Sequence, residues 1–187
     1  MHDYDLLELA DRVKTLKTQG SEDCAEILRK ELNTAPTQEA KLGICGMLGI
    51  ELQSQGRSEE AEAVIRERIS LSPDNPESWI TLALHFFYYT NDIEKALSTI
   101  NVAIQKASAQ KHFFRQAHLE RIRISLALNA YSAVEESLIQ LIDYTPDPGR
   151  LDSRLESDFL VKIRPGTVDA NLVERYKARL EQERRVQ

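Results

Sequence analysis

The chain has 187 residues, 42% hydrophobic and 29% charged, with a formal charge of −6, seven glycines, six prolines, two cysteines and four histidines. Length and composition are those of an ordinary soluble protein with room for a sizeable elongated core, and the net negative charge argues against a general nucleic-acid binder. Cys24 and Cys45 make no disulfide framework and have no metal-type spacing to the histidines, so both read as small core residues.

The elements follow from apolar periodicity. Leu6, Leu9, Val13 and Leu16 recur at spacings of three and four and predict a first helix over 3–18. Gly20 ends it, and Ser21 caps a second helix over about 22–33 that contains Cys24, Leu28 and Leu32. Thr37 opens a helix over about 38–55. Its interior holds Gly43, Gly46 and Gly49, each costing up to about 1 kcal/mol relative to Ala, so close packing against a neighbour is expected there. Gly56 suits the residue just past that helix, and Ser58 is expected to cap a helix over about 59–71.

Asn75 and Pro76 start a helix over about 76–90, with Pro at the first helical position, where its missing N–H costs nothing. Asn91 or Asp92 caps the next, about 92–108, and a break near 109–111 precedes a helix of about 112–128. Ser132 and Glu135 read as a capping box for about 133–144. Ser153 and Glu156 suggest another for about 154–163, with an extended piece over 159–163 as the other reading. Thr167 caps a last helix carrying Leu172, Val173, Tyr176 and Leu180, charged on its opposite face. With so few Gly and Pro, mostly at helix ends, the expected class is all-α.

A period runs through this series. Trp79, Leu82, Ala83 and Phe86 each follow Cys45, Leu48, Gly49 and Leu52 by 34 positions. Pro36, Pro73 and Pro146 each follow a small or β-branched residue, Cys24, Ala61 and Val134, by 12. The pattern resembles the tetratricopeptide repeat, a helix-turn-helix unit whose signature runs WxxLGxxY, AxxxF and a closing Pro. Cys45 stands at its Trp, Leu48 and Gly49 at its LG pair, Ala61 and Ile65 at AxxxF, and Pro73 closes the unit. Ala96 and Ile100 arrive one residue late, an insertion in the turn of the next unit. The resemblance implies an α-solenoid of stacked antiparallel hairpins in one domain, with repeats near 3–36, 37–74, 75–110 and 111–146 and a C-terminal cap over 150–187.

No phosphate loop, nucleophile elbow, HExxH or paired CxxC occurs, and no carboxylate pair can be nominated, so the chain is expected to be no enzyme and to need no cofactor or metal. His85 lies on an aromatic helix and reads as structural; His112 and His118, six apart, make a poor metal site. Without an apolar run for a leader or a membrane span, the cytoplasm is the default address.

The charge is uneven. Residues 1–77 hold 16 acidic and 9 basic side chains, residues 78–187 hold 14 and 15. Lys106, Lys111, Arg115, Arg121 and Arg123 face a single acid, Glu120, within 18 residues, and His112, Arg115, Leu119 and Arg123 share one helical face. The repeat resemblance places that face in a concave groove. The family's lysine and asparagine set for C-terminal carboxylates cannot be mapped here.

The expected function is capture of a protein segment, as an adaptor, chaperone or inhibitor. Ile80, Leu84, Phe87 and Tyr88 widen the apolar arc of their helix towards the groove, Gly43 and Gly46 offer a floor without side chains beside Ile50, and Arg115, Leu119 and Arg123 stand at the far edge. A peptide or helix with an apolar anchor and acidic residues would fit. The other readings are RNA or polyanion binding through 106–123, which salt would weaken steeply, and a purely structural assembly subunit.

Overall fold

The computed structural model describes residues 5–18, 24–108, 110–144 and 158–186. Among them there are nine α-helices and no strand: α1 (Leu6–Thr18), α2 (Cys24–Thr34), α3 (Gln38–Ser54), α4 (Ser58–Leu71), α5 (Pro76–Tyr88), α6 (Ile93–Ala107), α7 (Lys111–Ala127), α8 (Tyr131–Asp143) and α9 (Ala170–Val186). The chain folds as two compact units, residues 1–78 and 79–187.

In the first unit α1 and α2 both pack on α3, which packs along α4. Their core joins Leu9 and Val13 of α1 to Cys24 and Leu28 of α2, and these to Ile44, Leu48 and Leu52 of α3. Charged pairs tie the helices at the surface. Arg12 bonds Glu31 at 2.9 Å, Lys17 reaches the buried Glu51, and Arg29 and Arg57 converge on Glu60. The paired Arg57, followed by Arg29, holds the Glu60 carboxyl at about 2.

In the second unit α7 packs between α6 and α8, and α9 lies on α8. Its core gathers Ile122 of α7, Val134, Leu138 and Leu141 of α8, and Leu172, Tyr176 and Leu180 of α9. Phe159 is buried there with its ring 5.8 Å from Tyr176. Residues Leu160–Lys162 form a single 3-10 turn rather than the expected α-helix or extended piece, closed by Lys162 and Ile163 amides donating to Phe159 and Leu160 carbonyls. The expected start of that element, with Ser153 and Glu156, lies outside the described residues, as do Gly20, Ser21 and Pro146.

The second helix of every hairpin obeys one rule. Cys24, Ala61, Ala96 and Val134 are each fully buried, and so, four residues on, are Leu28, Ile65, Ile100 and Leu138. A small or β-branched residue thus precedes a large one by one helical turn on each inner face, a spacing that keeps both on one side of the helix.

Several caps differ from expectation. Thr37 accepts from the Ala40 amide at 3.1 Å and Asp92 from the Lys95 amide at 3.1 Å, as the pattern requires. Asn75 accepts from the Glu77 amide at 3.0 Å ahead of Pro76. Ser58, however, is already helical, behind Arg57, which makes no side-chain cap. Helix α8 begins at Tyr131, ahead of Ser132, and Glu135 instead accepts the Asp169 amide at 2.8 Å, joining α8 to the start of α9. Thr167 donates to the Arg164 carbonyl, and Asp169 caps α9 by accepting from Asn171 at 2.9 Å. Asn91 and Asn129, like Gly56, take left-handed backbone at the ends of their helices, where Asn is the best tolerated non-glycine residue.

Candidate interaction surface

Helix α5 carries the chain's richest aromatic run. Its inward side buries Leu82, Ala83 and Phe86, with Lys95 of α6 5.7 Å from the Phe86 ring. Trp79 is half-buried, whereas Ile80, expected in the groove, is 1% exposed and belongs to the packed side. His85 is fully buried, stacked 5.8 Å from Tyr89 and edge-on to Phe86. Outward, Leu84 and Phe87 are half-buried and Tyr88 is 61% exposed. The Phe87 and Tyr88 rings meet edge to face at 4.8 Å, which makes the end of α5 a preformed aromatic step.

Helix α7 lies beside that step. Burial, then the Glu120 carboxylate, pushes the Tyr88 phenol upward, while Arg123 pulls it the other way, so the α5 terminus and the middle of α7 sense one another. Arg115 is half-buried two turns before Arg123. Leu119, expected at the edge of the groove, is buried in the unit's core. The two arginines at the C-terminal end of the basic stretch are engaged: Arg121 bonds Glu136 at 2.8 Å and Ser137 at 3.2 Å, and Arg123 bonds Glu120. His118 is buried against Phe114, ring centres 4.5 Å apart, and neither ring nitrogen has a hydrogen-bond partner among the described residues. Burial, then the nearby Arg121, lowers it to about 4.

On the first unit the glycine floor is covered. A Cβ at Gly43 would lie 2.6 Å from Leu6 Cδ1, so the α1 leucine occupies the space that the missing side chain leaves. Gly46 faces the Arg68 guanidinium, 3.7 Å from where its Cβ would stand, and Arg68 is fixed by Glu77 at 2.8 Å. Gly49 meets Ile65 of α4 at 3.4 Å, the close approach its position predicts. Ile50 is 63% exposed.

A solved structure shares this arrangement. A tetratricopeptide repeat protein from Parabacteroides merdae matches 96% of the chain with a TM-score of 0.60, at 17% identity and over 67% of its own length. The chain has a tetratricopeptide-repeat fold. Ala61 and Ile65, the pair that stands at AxxxF in the sequence resemblance, are both buried, and Gly49 lies close against Ile65. No sequence-family model matches the chain, and no curated protein is similar to it in sequence.

Sequence reasoning missed one feature of this fold. A cavity of about 210 Å³ opens where Phe87 and Arg123 meet the turn after α7 and the segment after the 3-10 turn, which brings Lys162 and Arg164 alongside. Nothing in local periodicity links Lys162 and Arg164 to α7, because the docking of Phe159, Leu160 and Ile163 on the core places them. Among the described residues no cluster of three His, Cys, Asp or Glu could hold a metal ion, and no helix is long and apolar enough to cross a membrane.

Proposed function

We propose that the protein is a binding module for a segment of another protein, held on the second unit by the outward side of α5 and the neighbouring cations of α7. The observation that carries this reading is the exposed aromatic step of Tyr88 on Phe87, one turn from Leu84, with Arg123 at its side. Amphipathic aromatics beside an arginine are what protein interfaces concentrate, since they offer large area at little entropic cost. Arg115, and Arg123 in exchange for Glu120, favour a partner segment that bears acidic residues around an apolar anchor. Ile80 and Leu119 support the surface from behind. On the first unit, Ile50 is a separate exposed contact, and Gly43 and Gly46 serve packing.

The polyanion reading is the weaker one. Arg121 and Arg123 already have carboxylate partners, so phosphates drawn to this stretch would compete with Glu136 and Glu120.

Affinity capture from the native cell, repeated with L84S/Y88S and with R123E, tests the proposal. The double variant should lose its partner while keeping its helical circular dichroism, and R123E should weaken capture more at low salt than at high salt. Unchanged capture by L84S/Y88S overturns the reading.

A further inference from the structure

The cavity beside Phe87 has two chemically distinct sides. Phe87, Leu126 and Tyr131 are half-buried, and Leu126 and Tyr131 rest directly on the core of the second unit, so the apolar side is backed by packed structure. The other side presents Arg123, Lys162 and Arg164, with Lys162 and Arg164 exposed, and among the described residues no carboxylate lines the cavity. Asn129 holds the rim: its side-chain oxygen accepts the Tyr131 hydroxyl at 2.8 Å, which leaves its amide N–H groups as donors.

Lys162 and Arg164 are not on a loose loop. Lys162 ends a 3-10 turn that is closed by its own backbone hydrogen bonds and preceded by the buried Phe159, and Arg164, two residues on, accepts the Thr167 amide and hydroxyl through its carbonyl. Arg123 is balanced by Glu120, so the excess positive charge of the site comes from Lys162 and Arg164.

We infer that this cavity is a binding site for an aromatic anion: a ring against Phe87, Leu126 and Tyr131, and a phosphate or carboxylate held by Lys162, Arg164 and the Asn129 amide. Size supports the assignment, since about 150 Å³ suffices for one benzene ring and this cavity adds room for an anionic head. Charge supports it as well. Two cations without a carboxylate partner among the described residues match an aryl phosphate, which carries close to two negative charges at neutral pH. A guanidinium beside an ammonium is the usual protein answer to such a group. The site is independent of the partner surface proposed above, except that Phe87 and Arg123 border both.

The test is a titration of the 15N-labelled full chain, followed by its amide resonances, with four probes. Phenyl phosphate has both features, inorganic phosphate lacks the ring, phenol lacks the charge, and a phosphotyrosine peptide carries the same group on a protein. Phenyl phosphate should shift Asn129, Tyr131, Lys162 and Arg164 with a Kd near a millimolar or below, at least roughly tenfold tighter than inorganic phosphate or phenol. K162Q/R164Q should lose at least roughly tenfold in affinity while its remaining spectrum stays superimposable. A peptide that binds tighter than phenyl phosphate assigns the natural ligand to a modified protein, and equal affinity assigns it to a free small molecule; both support the site. Inorganic phosphate binding as tightly as phenyl phosphate, shifts confined to other residues, or no shift at about 10 mM phenyl phosphate, roughly tenfold above the expected Kd, overturns it.

Discussion

His118 should make the second unit labile to mild acid. Its imidazole is buried, lacks hydrogen-bond partners among the described residues, and is held at about 4 by burial and Arg121, against 6.5 when free. A histidine whose folded value lies below its unfolded one takes up its proton more readily when unfolded. Stability is therefore complete above pH 6.5 and drains away as the pH falls from 6.5 towards 4. Between pH 7 and pH 5 the loss from this residue alone is about 2 kcal/mol. The Arg57-paired Glu60 acts in the same direction but only below its unfolded value of 4.5, so it does not interfere in that window. H118L keeps the volume and removes both the titration and the unsatisfied nitrogens, so it should match or exceed the wild type at pH 7. Urea denaturation at pH 7, 6 and 5, followed by the fluorescence of Trp79 in the same unit, measures the difference. Equal losses in wild type and H118L would show that the ring is hydrated and the reasoning wrong.

Burial, then Glu67, pushes the Cys45 thiol from 9.0 to about 11, and Cys24 is likewise buried, with neither cysteine in a disulfide. At pH 8 the native protein should therefore react with a thiol reagent at least about 100-fold slower than the urea-unfolded chain, which titrates two thiols. G46A should raise the stability of the first unit by about 0.5–1 kcal/mol, because its Cβ would make only ordinary contact with Arg68, whereas G43A should gain less, because Leu6 must move; chemical denaturation of the two side by side decides it. Deleting residues from 167 onward strips Val168, Leu172, Tyr176 and Leu180 from the core, about 5 kcal/mol or more of burial, so the second unit should lose its cooperative melt. An unchanged melting curve would mean that α9 is a free arm.

The helices and the repeat were legible because both are written in short-range spacing. Cys24, Ala61, Ala96 and Val134 each sit one turn before a large apolar residue, and the structure buries all eight. The left-handed turn at Gly56 and the Asp92 cap were legible for the same reason: each depends on one residue and its immediate neighbours. Ser58, Ser132 and Thr167 misled because a capping-type residue within a few positions of a helix start looks the same whether it caps or not, and Glu135 had a distant partner in the Asp169 amide. The candidate surface was less legible still. A helical wheel shows which sides of α5 and α7 carry apolar residues, but not which side another helix covers, so Ile80 of α5 and Leu119 of α7 were expected outside and lie inside. The open floor at Gly43 is filled from α1, a contact 37 residues away in sequence that no local pattern encodes.

The most direct test of the proposed function is photo-crosslinking in the native cell with a benzophenone amino acid placed at Tyr88, against a control at the exposed Ile139 of α8. The account predicts a discrete crosslinked partner at position 88, absent at 139 and abolished when L84S is added. The same partner at both positions, or crosslinks at 88 that ignore L84S, would contradict it.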